Sequence, residues 1–239
     1  MISKYYSDDN VLNIYQFGSR VYGSDNKDSD YDYIIIAKEY FDSKDINVHV
    51  HTVQNFQRLL NNHDIQALEC YFLPETKILK RSLLHDYDLV WELDKYKLRT
   101  SISTISSNSW VKAKKKLIVQ GDYDINLAIK SLFHSLRILD FGIQIALNNR
   151  IVDYSSKNYI LEDLIKLADE YQSVELWEII NTKYREVYNK LKSEFKKLCP
   201  KENSELFDLI KKYFKDNNID FQLTKDKFNE LKNIFSKNL

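Results

Sequence analysis

The sequence predicts an α+β fold: a small mixed β-sheet with flanking helices over residues 1–95, followed by a helical domain over residues 96–239. Three observations lead there. Short β-rich runs bounded by polar residues occur only before residue 54. From Phe56 the apolar period changes to that of a helix, and from Trp110 onward helical spacing dominates. Glycine and proline are scarce, four and two in 239 residues, yet Gly18 and Gly23 lie close together, so one place near the N-terminus demands unusual backbone.

Residues 11–17 alternate well enough for a strand, and Gly18-Ser19 breaks it. Residues 20–24 begin a short helix or turn, and 25–30 form an acidic loop. Residues 31–37, Tyr-Asp-Tyr-Ile-Ile-Ile-Ala, read as a second strand. Residues 46–53 alternate strictly and put Asn47, His49 and His51 on one face of a half-buried third strand. Phe56, Leu59, Leu60 and then Ile65, Leu68, Tyr71 and Phe72 fit helices that end at Pro74. Residues 100–109, rich in Ser and Thr, read as a hinge or a helix start. The segment 125–147 is apolar on more than one face and predicts a central buried helix. Helices near 159–171, 173–198, 203–217 and 224–237 complete the chain, while His63 and His85 read as loop residues.

Lys+Arg and Asp+Glu balance at 35 each, which argues against a strongly basic nucleic-acid binder but leaves room for a local patch. Residues 1–110 hold 12 basic and 16 acidic side chains, and the remainder is mildly basic. Two cysteines, Cys70 and Cys199, are too few for a disulfide scaffold and read as reduced thiols of a cytoplasmic protein. No signal peptide is evident, and no apolar stretch approaches the roughly 20 residues that span a bilayer.

The chemistry concentrates in Phe17-Gly18-Ser19-Arg20-Val21-Tyr22-Gly23 and Asp28-Ser29-Asp30-Tyr31-Asp32. Residues two apart on a strand share a face, so Asp30 and Asp32 present two carboxylates side by side. Such carboxylates repel unless a cation lies between them. Mg²⁺ (or Mn²⁺) takes hard oxygen ligands of this kind and shares the rest of its shell with water and phosphate. A Gly18-Ser19 turn lets backbone N–H groups and a hydroxyl approach phosphate oxygens. Together these residues predict a Mg-NTP site poised for attack at the α-phosphate.

Gly-Ser followed by Asp-x-Asp on a neighbouring strand resembles the signature of the DNA-polymerase-β-like nucleotidyltransferase superfamily. The longer form, Gly-Ser-Arg-x-x-Gly with Asp-Ser-Asp-x-Asp, resembles a bacterial and phage subgroup of predicted nucleotidyltransferases. Residues 56–60 and Ala67-Leu68-Glu69 resemble that subgroup's helical segment, and Lys130, His134 and Arg137 its Lys-x-x-x-His-x-x-Arg pattern. The resemblance implies transfer of a nucleoside monophosphate from an NTP to an acceptor hydroxyl. RNA 3′ ends, including tRNA, are slightly preferred over proteins or small molecules as acceptor. It implies metal binding by Asp30 and Asp32, phosphate cradling by Gly18, Ser19 and Arg20, and further phosphate contacts from Lys130, His134 and Arg137. The superfamily carries a third carboxylate on a following strand, and here that position falls near Asn47. His49 or His51 then serves as the base, or Asp45 shifts in. Otherwise the chain is an NTP-binding regulatory module impaired in transfer.

Other residues admit two readings each. Arg20 suits a phosphate contact or a surface salt bridge. His49 and His51 suit a base or a plain polar strand face. Lys130, His134 and Arg137 share one helical face, which suits a triphosphate or a buried ion pair with Glu69 or Asp140. Lys112 and Lys114–Lys116 suit phosphate or RNA, or a solvated helix face, while Asp25 and Asp28 suit loop or capping roles more than metal ligation.

Overall fold

The computed structural model describes residues 2–82, 88–201, 212 and 214–216. A four-stranded sheet carries the N-terminal half, in the order β3-β2-β1-β4. Strand β1 (Val11–Phe17) pairs antiparallel with β2 (Asp32–Ala37) and with β4 (Ile78–Lys80), and β2 pairs parallel with β3 (Val48–Thr52). The sheet is therefore mixed, as the α+β reading expects. β1 is buried at six of seven positions because both faces are covered. Three-residue β4 is too short to leave a periodic trace in the sequence.

The one-turn helix α1 (Ser19–Tyr22) follows β1 directly, and α2 (Val53–Asn61) and α3 (Ile65–Tyr71) cover one sheet face. Thr52 and Asp64 cap the last two, accepting hydrogen bonds from Asn55 N and from Gln66 N and Ala67 N. The helical part follows as α4 (Lys95–Ile118), α5 (Ile125–Asn148), α6 (Asn158–Glu170) and α7 (Ser173–Leu198). α5 is its axis, buried around its circumference and packed against the other three helices. One hydrophobic core continues from Tyr15, Phe56 and Leu68 beside the sheet to Ile102, Leu136 and Phe141 in the bundle.

Residues 100–109 are neither a hinge nor a helix start but lie inside α4. Their hydroxyls are satisfied locally or across a helix contact. Thr100 Oγ1 donates to Tyr96 O at 3.1 Å, and Ser106 and Ser135 exchange hydrogen bonds with each other's carbonyls at 2.9 and 2.7 Å. The helices expected near 203–217 and 224–237 lie outside the described residues, save for 212 and 214–216, which are helical; His85 also lies outside. Among the described residues, no helix is long and apolar enough to cross a membrane.

Candidate functional site

Gly18 joins β1 to α1 with φ 81° and ψ −158°, a region open essentially to glycine alone. A Cβ built there would lie 2.3 Å from Asp32 Oδ2. The Asp32 carboxylate thus rests directly on the Gly18 backbone, and the glycine is required twice over. Gly23 closes α1 in the left-handed conformation, φ 67°.

β2 begins at Asp32, so Asp30 stands just before the strand rather than on it. The extended geometry still reaches back. Tyr31 and Tyr33 stack at 6.4 Å with their rings 9° apart, which leaves Asp30 and Asp32 on the opposite side. The two carboxylates feel each other. Burial and then the Asp30 charge raise the Asp32 pKa, while His49 and Lys130 pull it back down.

Both aspartates line a cleft of about 930 Å³ between the sheet and the bundle. Its acidic wall holds Asp28, Asp30 and Asp32 beside Ser19, and its basic wall holds Lys130 and Arg137 of α5 with Lys112 of α4. Lys112 therefore faces the cleft, whereas Lys116 of the same run pairs with Asp122.

Arg137 is 7% exposed. Its guanidinium lies 3.6 Å over the Tyr22 ring, one terminal nitrogen bonds His134 Nδ1 at 3.0 Å, and its Nε has no hydrogen-bond partner among the described residues. A buried donor left unsatisfied is costly, and this one belongs to a side chain lining the cleft. Beneath it, Tyr22 Oη donates to Glu69 Oε2 at 2.5 Å and Tyr154 Oη donates to Glu69 O at 2.7 Å. Glu69 is fully buried, and desolvation pushes its pKa up to about 7 against the pull of Arg137 and Tyr22. Asp140, the other partner considered for this stripe, instead pairs with Lys157 at 2.8 Å.

The expected phosphate contacts divide. Gly18, Lys130 and Arg137 stand at the cleft, as does the Ser19 side chain. His134 lines it as a neutral group, its pKa depressed to about 3 by burial and by the Arg137 and Lys112 charges. It acts as the acceptor that fixes Arg137. Arg20 turns away from the cleft. It bonds Asp25 Oδ2 at 3.1 Å and Ser29 O at 2.6 Å and lies 3.9 Å over the Tyr31 ring, bracing the loop that carries Asp28 and Asp30.

The third strand settles where each candidate for the third acid stands. Tyr33 pairs with Val48 and its N–H bonds Asn47 O at 2.8 Å, so the register brings Asn47 opposite Asp32. His49 is next on that face, exposed and close enough to Asp32 to influence its ionisation. His51 is taken up by Asn55 Nδ2 at 3.0 Å and by the Phe56 ring. Asp45 stays in the preceding turn, near Asn47 N. His63, a loop residue as expected, is nonetheless buried and accepts at 2.8 Å from the backbone N–H of Asp94, the cap of α4.

Among the described residues, no group of three His, Cys, Asp or Glu forms a protein-only metal site. The donor set at Asp30 and Asp32 is of another kind: two hard oxygens beside an open, partly cationic cleft. That set fits a Mg²⁺ ion completed by water and substrate phosphates.

Sequence reasoning missed Tyr22, Asn126 and Asp169 as cleft residues and the Glu69–Tyr154 support beneath it. The apolar stretch of Ile125, Ile129, Leu161 and Ile165 along the same cleft was also missed. No protein-family model matches the chain, and no curated protein matches it in sequence.

Proposed function

We propose that this chain is a Mg²⁺-dependent nucleotidyltransferase that moves a nucleoside monophosphate from an NTP to an acceptor hydroxyl. The observation that carries the reading is the Asp30/Asp32 pair seated on Gly18 and faced by Lys130 and Arg137 across the cleft. Asp30 and Asp32 hold the metal, which when bound supplies neutralisation of phosphate charge. Ser19 and the basic wall bind the triphosphate, and Arg137 offers it an Nε with no other partner among the described residues. The acceptor oxygen bonds the α-phosphorus as the bond to the β-phosphate oxygen breaks, and pyrophosphate leaves. In place of a third carboxylate, His49, two residues beyond Asn47 on the same strand face, accepts the hydroxyl proton. An RNA 3′ end, including that of tRNA, is the acceptor this reading favours over proteins and small molecules. Two buried free thiols, Cys70 and Cys199, support a cytoplasmic setting.

Thermal unfolding with each NTP, with and without Mg²⁺, tests the binding step. At a hundredfold excess over Kd, binding adds about 2.7 kcal/mol, which raises the midpoint by about 5–10 °C in a chain of this size. Asp30→Asn/Asp32→Asn is expected to lose this rise. Its unliganded midpoint should exceed that of the wild type, because a carboxyl whose folded pKa is raised destabilises the fold once ionised. Absence of any Mg²⁺-dependent rise in the wild type would remove the proposal.

A second reading, an NTP-binding module impaired in transfer, is favoured by the neutral Asn47 beside Asp32. His49→Ala and Asn47→Asp separate the two. If His49 is the base, His49→Ala loses transfer of a labelled nucleotide to RNA while keeping the Mg-NTP midpoint rise. If transfer is absent in the wild type and appears in Asn47→Asp, the regulatory reading stands.

A further inference from the structure

The cleft has a second end that phosphate chemistry does not use. Ile125 and Ile129, in the first turns of α5, face Leu161, Ile165 and Ala168 of α6. Ile165 is 49% exposed, an aliphatic side chain open to the cleft. Two polar groups sit on this shelf, Asn126 of α5 and Asp169 of α6. Neither has a hydrogen-bond or ion-pair partner among the described residues. The shelf continues into the basic wall, since Ile129 precedes Lys130 and His134 and Arg137 follow on the same helix. From Ile125 to Arg137 the helix rises about 18 Å, so a flat group at one end and a phosphate chain at the other lie along one element.

We propose that this shelf is a nucleobase subsite, with Asp169 and Asn126 selecting a base that carries an exocyclic amine; the inference rests on the transferase reading above. Aliphatic side chains suit the π-face of any base, and a small number of placed polar groups fixes which base is accepted. A carboxylate only accepts hydrogen bonds. Adenine, cytosine and guanine each offer an exocyclic amine to it, whereas both exocyclic groups of uracil are carbonyls and its one N–H, at N3, lies between their lone pairs, so a carboxylate placed for the amine meets a repelling oxygen. The Asn126 amide both donates and accepts, so it reads a neighbouring ring nitrogen or carbonyl. The base thus rejected is the pyrimidine without an amine.

Dissociation constants of wild type for the Mg²⁺ complexes of ATP, CTP, GTP, UTP and inorganic tripolyphosphate test this directly. ATP, CTP and GTP are expected to bind about tenfold more tightly than UTP, and ATP about tenfold more tightly than tripolyphosphate. Ile165→Asp, at a half-exposed position that folding tolerates, should bring ATP to the tripolyphosphate level and leave tripolyphosphate unchanged. Asp169→Asn should erase the discrimination against UTP. Equal binding of all four nucleotides and tripolyphosphate overturns the base subsite and leaves the phosphate site standing. Tighter ATP binding with UTP equal to it, unaltered in Asp169→Asn, overturns the selection by amine. No binding of any of the five overturns the transferase reading and this inference with it.

Discussion

Alanine at position 18 is expected to abolish the Mg-NTP midpoint rise and to lower stability by about 3 kcal/mol. The backbone at Gly18 lies in a region that costs a side-chain-bearing residue about 1–3 kcal/mol. The new methyl would also stand 2.3 Å from Asp32 Oδ2, so the carboxylate must leave its place. Gly23 is the control. It too has positive φ, 67°, but a Cβ there meets only Asn158 Nδ2, at 3.5 Å. Gly23→Ala should therefore cost about 1 kcal/mol and leave Mg-NTP binding intact. A double-mutant cycle isolates the collision. In an Asp32→Ala background the stability cost of Gly18→Ala should shrink to its backbone part, because the two sites touch and their effects couple. Urea midpoints for the four proteins give the coupling. Additive costs would mean that Asp32 does not rest on Gly18, and the description of the site would fail with it.

The same contrast explains what could be read from the sequence. Gly18, Asp30 and Asp32 were legible because their roles are local. A chain this poor in glycine must have a backbone reason for Gly18, and two aspartates two apart share a side. The central burial of α5 was legible because its apolar residues occupy more than one face. β4 was not, since three residues carry no period. The continuity of α4 was hidden because Ser and Thr favour caps and turns unless their hydroxyls find partners, and the Ser106 partner, Ser135, lies on another helix. The identity of Arg20 left a phosphate contact and a salt bridge open, and the salt bridge forms because its acceptors, Asp25 and Ser29 O, are a few residues along its own loop. The state of His134 depends on burial, which no spacing reports. Glu69 was legible only as one of two candidate partners for the α5 stripe, not in its tyrosine contacts. Its partners Tyr22, Arg137 and Tyr154 come from three other parts of the chain, and only the fold assembles them.

Glu69 is expected to make stability fall as pH rises from about 4.5 towards 7, and Glu69→Gln should remove that fall. The sign follows from where the proton resides. The unfolded chain ionises this carboxyl near the ordinary 4.5, whereas burial holds it protonated in the fold up to about 7. Between those values the unfolded state binds fewer protons, so stability declines with pH and levels off above the upper value. The loss is on the order of 3 kcal/mol. Other buried groups oppose it. His51, His63 and His134 all have depressed pKa values, so they add stability as pH rises towards their ordinary range. The raw curve is thus a sum, and the difference between wild type and Glu69→Gln isolates the one carboxyl. Glutamine keeps an oxygen that accepts from Tyr22 Oη, so the variant retains the hydrogen bond while losing the titration. The groups facing Glu69 are Tyr22 of α1, Arg137 of α5, Tyr154 before α6, and Cys70 and Asp64 from its own helix and cap. Arg137 is the only cation among them, and it lines the cleft. Ionised Glu69 cancels its charge, so Mg-tripolyphosphate should bind more weakly above pH 7 and should take up a proton on binding. Titration calorimetry in two buffers of different ionisation enthalpy measures that proton. A pH-independent affinity in wild type, or proton uptake unchanged in Glu69→Gln, would show that Arg137 meets the anion without regard to the carboxyl beneath it.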